Sequence, residues 1–152
     1  MQKNINIQNK KARFEYQILS KYTAGIQLTG TEIKSIRQSK ARITESFCEF
    51  NKSGELFVIN MYIEQYQYGN QFNHEPTSER RLLLNKRELK KLAKEVTAKG
   101  NTIVPLRLFI NSNGWAKLEI ALAKGKKIHD KRQSIKERES KMHLNRINKN
   151  QN

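Results

Sequence analysis

Three histidines, His74, His129 and His143, and one cysteine, Cys48, are the residues whose types most readily do acid–base or nucleophilic chemistry. His129 adjoins Asp130, which pairs a base with an orienting carboxylate. Neighbours in a polar stretch, however, lack the fixed geometry that proton transfer needs. Cys48 lies in Ser46-Phe47-Cys48-Glu49-Phe50, with no basic or histidine neighbour to favour the thiolate, and reads as a small apolar residue of a strand. One cysteine makes neither an internal disulfide nor a cysteine zinc cluster. No carboxylates stand at metal-ligand spacing. Lys124-Gly125-Lys126-Lys127 lacks the upstream glycine and the downstream Ser or Thr of a nucleotide loop. The chain is therefore expected to be no enzyme and to need no cofactor or metal.

What remains is the chemistry of charge and of flat rings. The 152 residues hold 30 Lys and Arg against 14 Asp and Glu, a net charge of +16. That excess repels itself in a compact state and favours a polyanionic partner, nucleic acid first, because each neutralised phosphate releases counterions. An anionic membrane is the rival, but no apolar run approaches the roughly 20 residues of a bilayer span. The start, Met1 to Lys11, has no apolar core of a signal peptide, so a cytosolic protein is expected. Lys10, Lys11 and Arg13 form one basic cluster, and Lys34, Arg37, Lys40 and Arg42 a second. The two flank the start of the folded region and together suit one phosphate-binding face; ordinary surface charge is the plainer reading. Tyr66, Tyr68 and Phe72 lie in a polar loop, where they either stack on RNA bases or pack their own loop.

The elements that must position these groups read mostly as strands. A polar lead-in reaches about Arg13, most apolar residues fall between Phe14 and Ala123, and Lys124 to Asn152 is almost entirely polar. Phe14 to Leu19 alternates, breaks at Ala24-Gly25, and alternation resumes over Ile26 to Thr29. Asn51-Lys52-Ser53-Gly54 and Asn111-Ser112-Asn113-Gly114 each join two alternating runs and predict hairpins. Pro105 lacks a donor, so its strand should bulge or lie at an edge. Asn85 with Glu88 predicts a capping box for a helix carrying Leu89, Leu92, Ala93 and Val96 on one face and stopping at Gly100. A shorter helix is expected over Glu32 to Gln38, capped by Thr31. Six short strands and two helices suggest a five- or six-stranded antiparallel barrel of the oligonucleotide-binding type over residues 1–123.

Residues 124–152 carry ten basic and three acidic side chains. Their apolar stripe is only Ile128, Ile135 and Met142, too thin to hold a helix on the domain. A tail that orders as a helix against RNA is expected, with a merely solvated basic extension as the plainer alternative.

Several stretches resemble the SsrA-binding protein family. They are Asn9-Lys10-Lys11-Ala12, the run from Ala24 through Gly30 to Ser35, Gly69-Asn70-Gln71-Phe72-Asn73-His74-Glu75-Pro76, Leu82-Leu83-Leu84, Lys86-Arg87-Glu88 and Val104-Pro105-Leu106. Most specific is Ala123-Lys124-Gly125-Lys126-Lys127-Ile128-His129-Asp130-Lys131-Arg132, followed by Ile135-Lys136-Glu137-Arg138. Glu75 departs from the family's usual Asp and Gln71 from its usual basic residue; beyond Ser140 only basic, helix-prone character matches. The resemblance implies a barrel that binds the tRNA-like domain of transfer-messenger RNA as a monomer in a one-to-one complex. It further implies delivery of that RNA, with elongation factor Tu, to stalled ribosomes. Carried onto this chain, Thr31, Glu32, Lys34 and Arg37 with Asn70 and Asn73 would help build the RNA face, beside Lys10, Lys11 and Arg13. Glu32 would accept hydrogen bonds from base amines or sugar hydroxyls, or orient a nearby arginine. The tail would enter the decoding centre and the empty mRNA path. There Lys124, Gly125, Lys126 and Lys127, with Asp130, Lys131, Arg132, Lys136 and Arg138, would meet small-subunit ribosomal RNA, and His129 would stack on an exposed base.

Overall fold

A computed structural model describes residues 4–69 and 72–126. Two strand hairpins organise it. β4 (Phe47–Phe50) turns into β5 (Leu56–Ile59), and β8 (Asn101–Ile110) turns into β9 (Ala116–Gly125). Both turns are built alike and as predicted. The leading asparagine's side-chain oxygen accepts two backbone N–H groups, from Ser53 and Glu55 in one turn and from Asn113 and Trp115 in the other. Gly54 and Gly114 supply the positive φ, +82° and +83°.

β7 (Arg80–Leu83) and β2 (Tyr16–Ile26) complete the wall. The order β8-β4-β5-β7-β2-β9 returns to β8 through the β8–β9 pairing, so six antiparallel strands form a closed barrel. This is the mainly β, oligonucleotide-binding-type architecture expected. Its interior holds Leu56, Val58, Leu82, Ile103, Leu108, Leu118 and Ile120, all almost wholly buried. A short pair, β3 (Ala41–Arg42) with β6 (Tyr62–Ile63), lies beside it.

The expected break at Ala24-Gly25 does not occur. β2 runs straight through both, and Gly25 pairs with Leu83 on one side and Lys117 on the other. A Cβ on Gly25 would stand 3.4 Å from that of Leu83. The small residue marks close approach, not a stop.

The lead-in is also more than a basic extension. β1 (Asn6–Gln8) pairs with the second half of β8, and α1 (Lys10–Glu15) takes Phe14 and Glu15 out of the expected strand. Pro105 explains how β8 serves two neighbours along one edge. Its register shifts between Pro105 and Arg107, the predicted bulge, with β4 paired before it and β1 after it. Buried Asn9 closes the gap. Its side-chain nitrogen donates to the Pro105 carbonyl at 2.9 Å and to that of Ile43 at 3.3 Å, while its oxygen caps α1 by accepting the Ala12 N–H. Under α1 the outward positions of β9 are Ala121 and Ala123, small enough for the helix to sit against the sheet, with Val104 and Leu106 beside them.

α3 (Lys86–Val96) keeps its predicted cap: Asn85 Oδ1 accepts the Glu88 N–H at 2.8 Å, and Leu92 is fully buried. α2 (Gly30–Arg37) begins two residues earlier than expected, and its N-cap is Thr29, not Thr31. β9 runs to Gly125, and the Lys126 N–H donates to the Glu15 carbonyl, so the barrel extends past the 123/124 boundary read from the sequence. Among the described residues no helix is long and apolar enough to cross a membrane.

Candidate nucleic-acid interface

The start of α2 is tied into the loop between β6 and β7 by polar groups from four places. Glu32, buried, accepts the Thr29 N–H at 2.9 Å and the Thr29 hydroxyl at 3.1 Å through Oε1. Its other oxygen takes Nε of Arg80, equally buried. The guanidinium also donates to the carbonyls of Met61, Glu75 and Pro76. A buried arginine thus has its charge matched and its donors engaged, the condition under which burial is tolerated.

His74 closes the same corner. The Ile63 carbonyl 2.9 Å from Nε2 only accepts, so that nitrogen carries the proton and Nδ1 is left for the Thr31 hydroxyl, also at 2.9 Å. Asn73 braces the loop: Oδ1 accepts the N–H groups of Tyr66 and His74, and Nδ2 donates to the carbonyls of Tyr66 and Gly69. A Cβ on Gly69 would lie 2.7 Å from Asn73 Nδ2 and 3.2 Å from Thr31 Cγ2. Gly69→Ala should therefore destabilise the protein by about 1–3 kcal/mol, as overpacking does. Urea unfolding measures it, and an unchanged midpoint would show that the loop yields freely.

Above this frame the surface is cationic and apolar. Lys34 places its ammonium 5.5 Å from the Tyr66 ring centre, and Tyr66 meets Tyr68 edge-on at 5.6 Å. Tyr66 and Tyr68 thus touch within their own loop, while Tyr68 and Phe72 stay largely exposed, 70% and 84%. Alongside runs a groove of about 580 Å³ between α2, β2 and the β8–β9 turn, lined by Leu28, Ile33, Arg37, Leu83, Trp115 and Lys117 among others. Trp115 and Leu83 are both exposed there, an apolar floor edged by two cations.

A family model described as SmpB protein matches residues 6–150. The chain belongs to the SmpB protein family.

Curated relatives agree. An SsrA-binding protein of Christiangramia forsetii is 64% identical over 149 residues, 98% of this chain and 94% of the relative. That of Bacteroides thetaiotaomicron is 53% identical over 146 residues, covering 96% and 97%. A solved structure described as "tmRNA-SmpB: a journey to the center of the bacterial ribosome" has a TM-score of 0.70 at 43% identity, covering 86% of this chain and 94% of that one.

In this SmpB-family chain the predicted site residues within the described range fall into three groups. Thr31, Glu32, Lys34 and Asn73 lie at the α2 corner, and Arg37, at the far end of α2, lines the adjoining groove. Glu32 is buried with both oxygens occupied, by Thr29 and by Arg80; of the two roles expected for it, these contacts match orienting a nearby arginine. Lys10, Lys11 and Arg13 lie on α1, which packs on β2 and β8. Lys11 donates to Glu45 at 2.8 Å, and that hydrogen bond, with the nearby carboxylate charges, raises the ammonium's pKa above its ordinary value. Arg13 sits 4.0 Å from Glu119. Lys124 and Gly125 end β9, and Lys126 follows. Asn70, Lys127, His129, Asp130, Lys131, Arg132, Lys136 and Arg138 lie outside the described residues, as does the expected tail helix.

Cys48 is buried, and desolvation pushes its thiol well above the usual range, in keeping with a structural role. Among the described residues no cluster of His, Cys, Asp and Glu suits a metal ion. Sequence reading missed Arg80, Asn9 and the Trp115 groove. Arg80 had one signal: it alternates in step with Leu82, which placed it on the inner face.

Proposed function

We propose that the α2 corner and the adjoining groove bind the tRNA-like domain of transfer-messenger RNA, and that residues 124–152 engage small-subunit ribosomal RNA in the decoding centre and the empty mRNA path. The protein acts by binding, as a monomer with one RNA, and delivers that RNA with elongation factor Tu to ribosomes stalled in the cytosol. The observation that carries the reading is the groove edged by Arg37 and Lys117, with exposed Trp115 and Leu83 on its floor and Lys34 on the same helix as Arg37. Cations meet phosphates, and the flat Trp115 ring offers a face on which an unstacked base or a ribose can lie. The Glu32–Arg80 pair and Asn73 hold that surface rigid without touching the ligand.

Lys34→Ala with Arg37→Ala should weaken binding to the tRNA-like domain and reduce the slope of log affinity against log salt by about one for each phosphate no longer neutralised. Titration of labelled RNA at several salt concentrations measures it. An unchanged slope would take both residues out of the interface.

A further inference from the structure

We propose that the solvent face of α3 is a second RNA-binding surface, one that follows the phosphate backbone of double-helical RNA without regard to sequence. Lys86, Arg87, Lys90, Lys91, Lys94 and the following Lys99 are all exposed. Arg87, Lys90 or Lys91, and Lys94 recur at one-turn spacing, so they form a stripe along one side of a rod about 16 Å long. The helix has little carboxylate to offset them. Glu88 turns back toward the Asn85 N–H, and among the described residues Glu95 pairs with Lys91 at 4.0 Å.

This arrangement is unfavourable for the helix itself. Lys86 with Lys90, Arg87 with Lys91, and Lys90 with Lys94 are like charges four residues apart, which destabilise a helix. Lys86 and Arg87 also sit in the first turn, at the positive end of the dipole. An anionic partner along the stripe relieves both. The stripe starts three residues after Leu83 of the groove. It ends at Gly100, where the stem of Lys124 passes within 3.8 Å of a Cβ built on that glycine.

The chemistry selects a duplex over a single strand. Single-strand sites combine cations with rings on which bases stack, and α3 has no aromatic residue. A regular row of long cationic side chains reads phosphates alone.

The test uses the full chain with Arg87→Ala, Lys90→Ala and Lys94→Ala combined, against two probes: a 20-base-pair RNA duplex of arbitrary sequence and the isolated tRNA-like domain. Affinity for the duplex should fall by roughly tenfold near 0.1 M salt, with a salt slope smaller by about two to three. Affinity for the tRNA-like domain should stay within about twofold. The thermal midpoint should hold or rise, because the like-charge repulsion is gone. A control with Lys21→Ala, Lys52→Ala and Arg81→Ala removes the same charge at exposed positions outside both proposed faces. Equal loss of duplex binding in the control, equal loss for both RNAs in the α3 variant, or no loss at all would each overturn the proposal. Because the α2 variant is read on the tRNA-like domain and the α3 variant on the duplex, the two readings fail separately.

Discussion

Glu32→Ala should destabilise the protein by about 3–5 kcal/mol, the usual cost of removing one partner from a buried ion pair. The magnitude follows from what is stranded. Arg80, with its side chain only 2% exposed, keeps its three carbonyl acceptors but loses the carboxylate that balances its charge. Thr29 loses the acceptor for both its N–H and its hydroxyl at the start of α2. For a domain of this size the thermal midpoint should drop on the order of 10–20 °C. Glu32→Gln keeps an acceptor for Thr29 but not the charge and should fall between the two. Converting the pair together, Glu32→Leu with Arg80→Met, should recover part of the loss, because no buried charge is left alone. If Glu32→Ala unfolds at the parent temperature, the pair is not holding the corner.

Ending the chain at Lys126 should leave affinity for the tRNA-like domain within a few-fold of the full protein and abolish tagging of stalled chains. The cut follows the structure: the Lys126 N–H bonded to the Glu15 carbonyl is the last described tie to the barrel, so residues 1–126 retain every strand. The residues removed carry eight of the 30 basic side chains, and their loss should show as weaker, salt-sensitive background binding. Filter binding and a tagging reaction on ribosomes programmed with a message lacking a stop codon measure the two arms. Loss of RNA binding along with tagging would mean that the proposed division between groove and tail is wrong.

Local signals carried the legible part of this fold. Asn51 to Gly54, Asn111 to Gly114 and the Asn85–Glu88 box each act within four residues, so their spacing in the chain is their geometry in space. The bulge at Pro105 follows from one missing donor. What escaped depends on partners far apart. Asn9 meets Ile43 and Pro105, 34 and 96 residues away, and Glu32 meets Arg80 across 48. No local pattern distinguishes such a residue from an ordinary surface asparagine or glutamate. The family's motif singled out Glu32, but only the fold reveals that it lies buried against Arg80. The groove was hidden for a related reason: Leu83 falls at an outward position of β7 and Trp115 in the turn just before β9, far apart in sequence, and only barrel closure brings both to one groove.

The pairing of β2 with β9 spans most of the folded chain, since Tyr16 faces Gly125. Such a seam is the slowest kind to form, because nearly the whole polypeptide must be looped before its first rung bonds. A product of translation that halts before β9 is complete has a row of unmet donors and acceptors along β2 and β8 and no wall on which Lys117 could face Arg37. The protein is therefore all or nothing with respect to its own synthesis: an interrupted copy gains no partial competence, only exposed strand edges prone to aggregation.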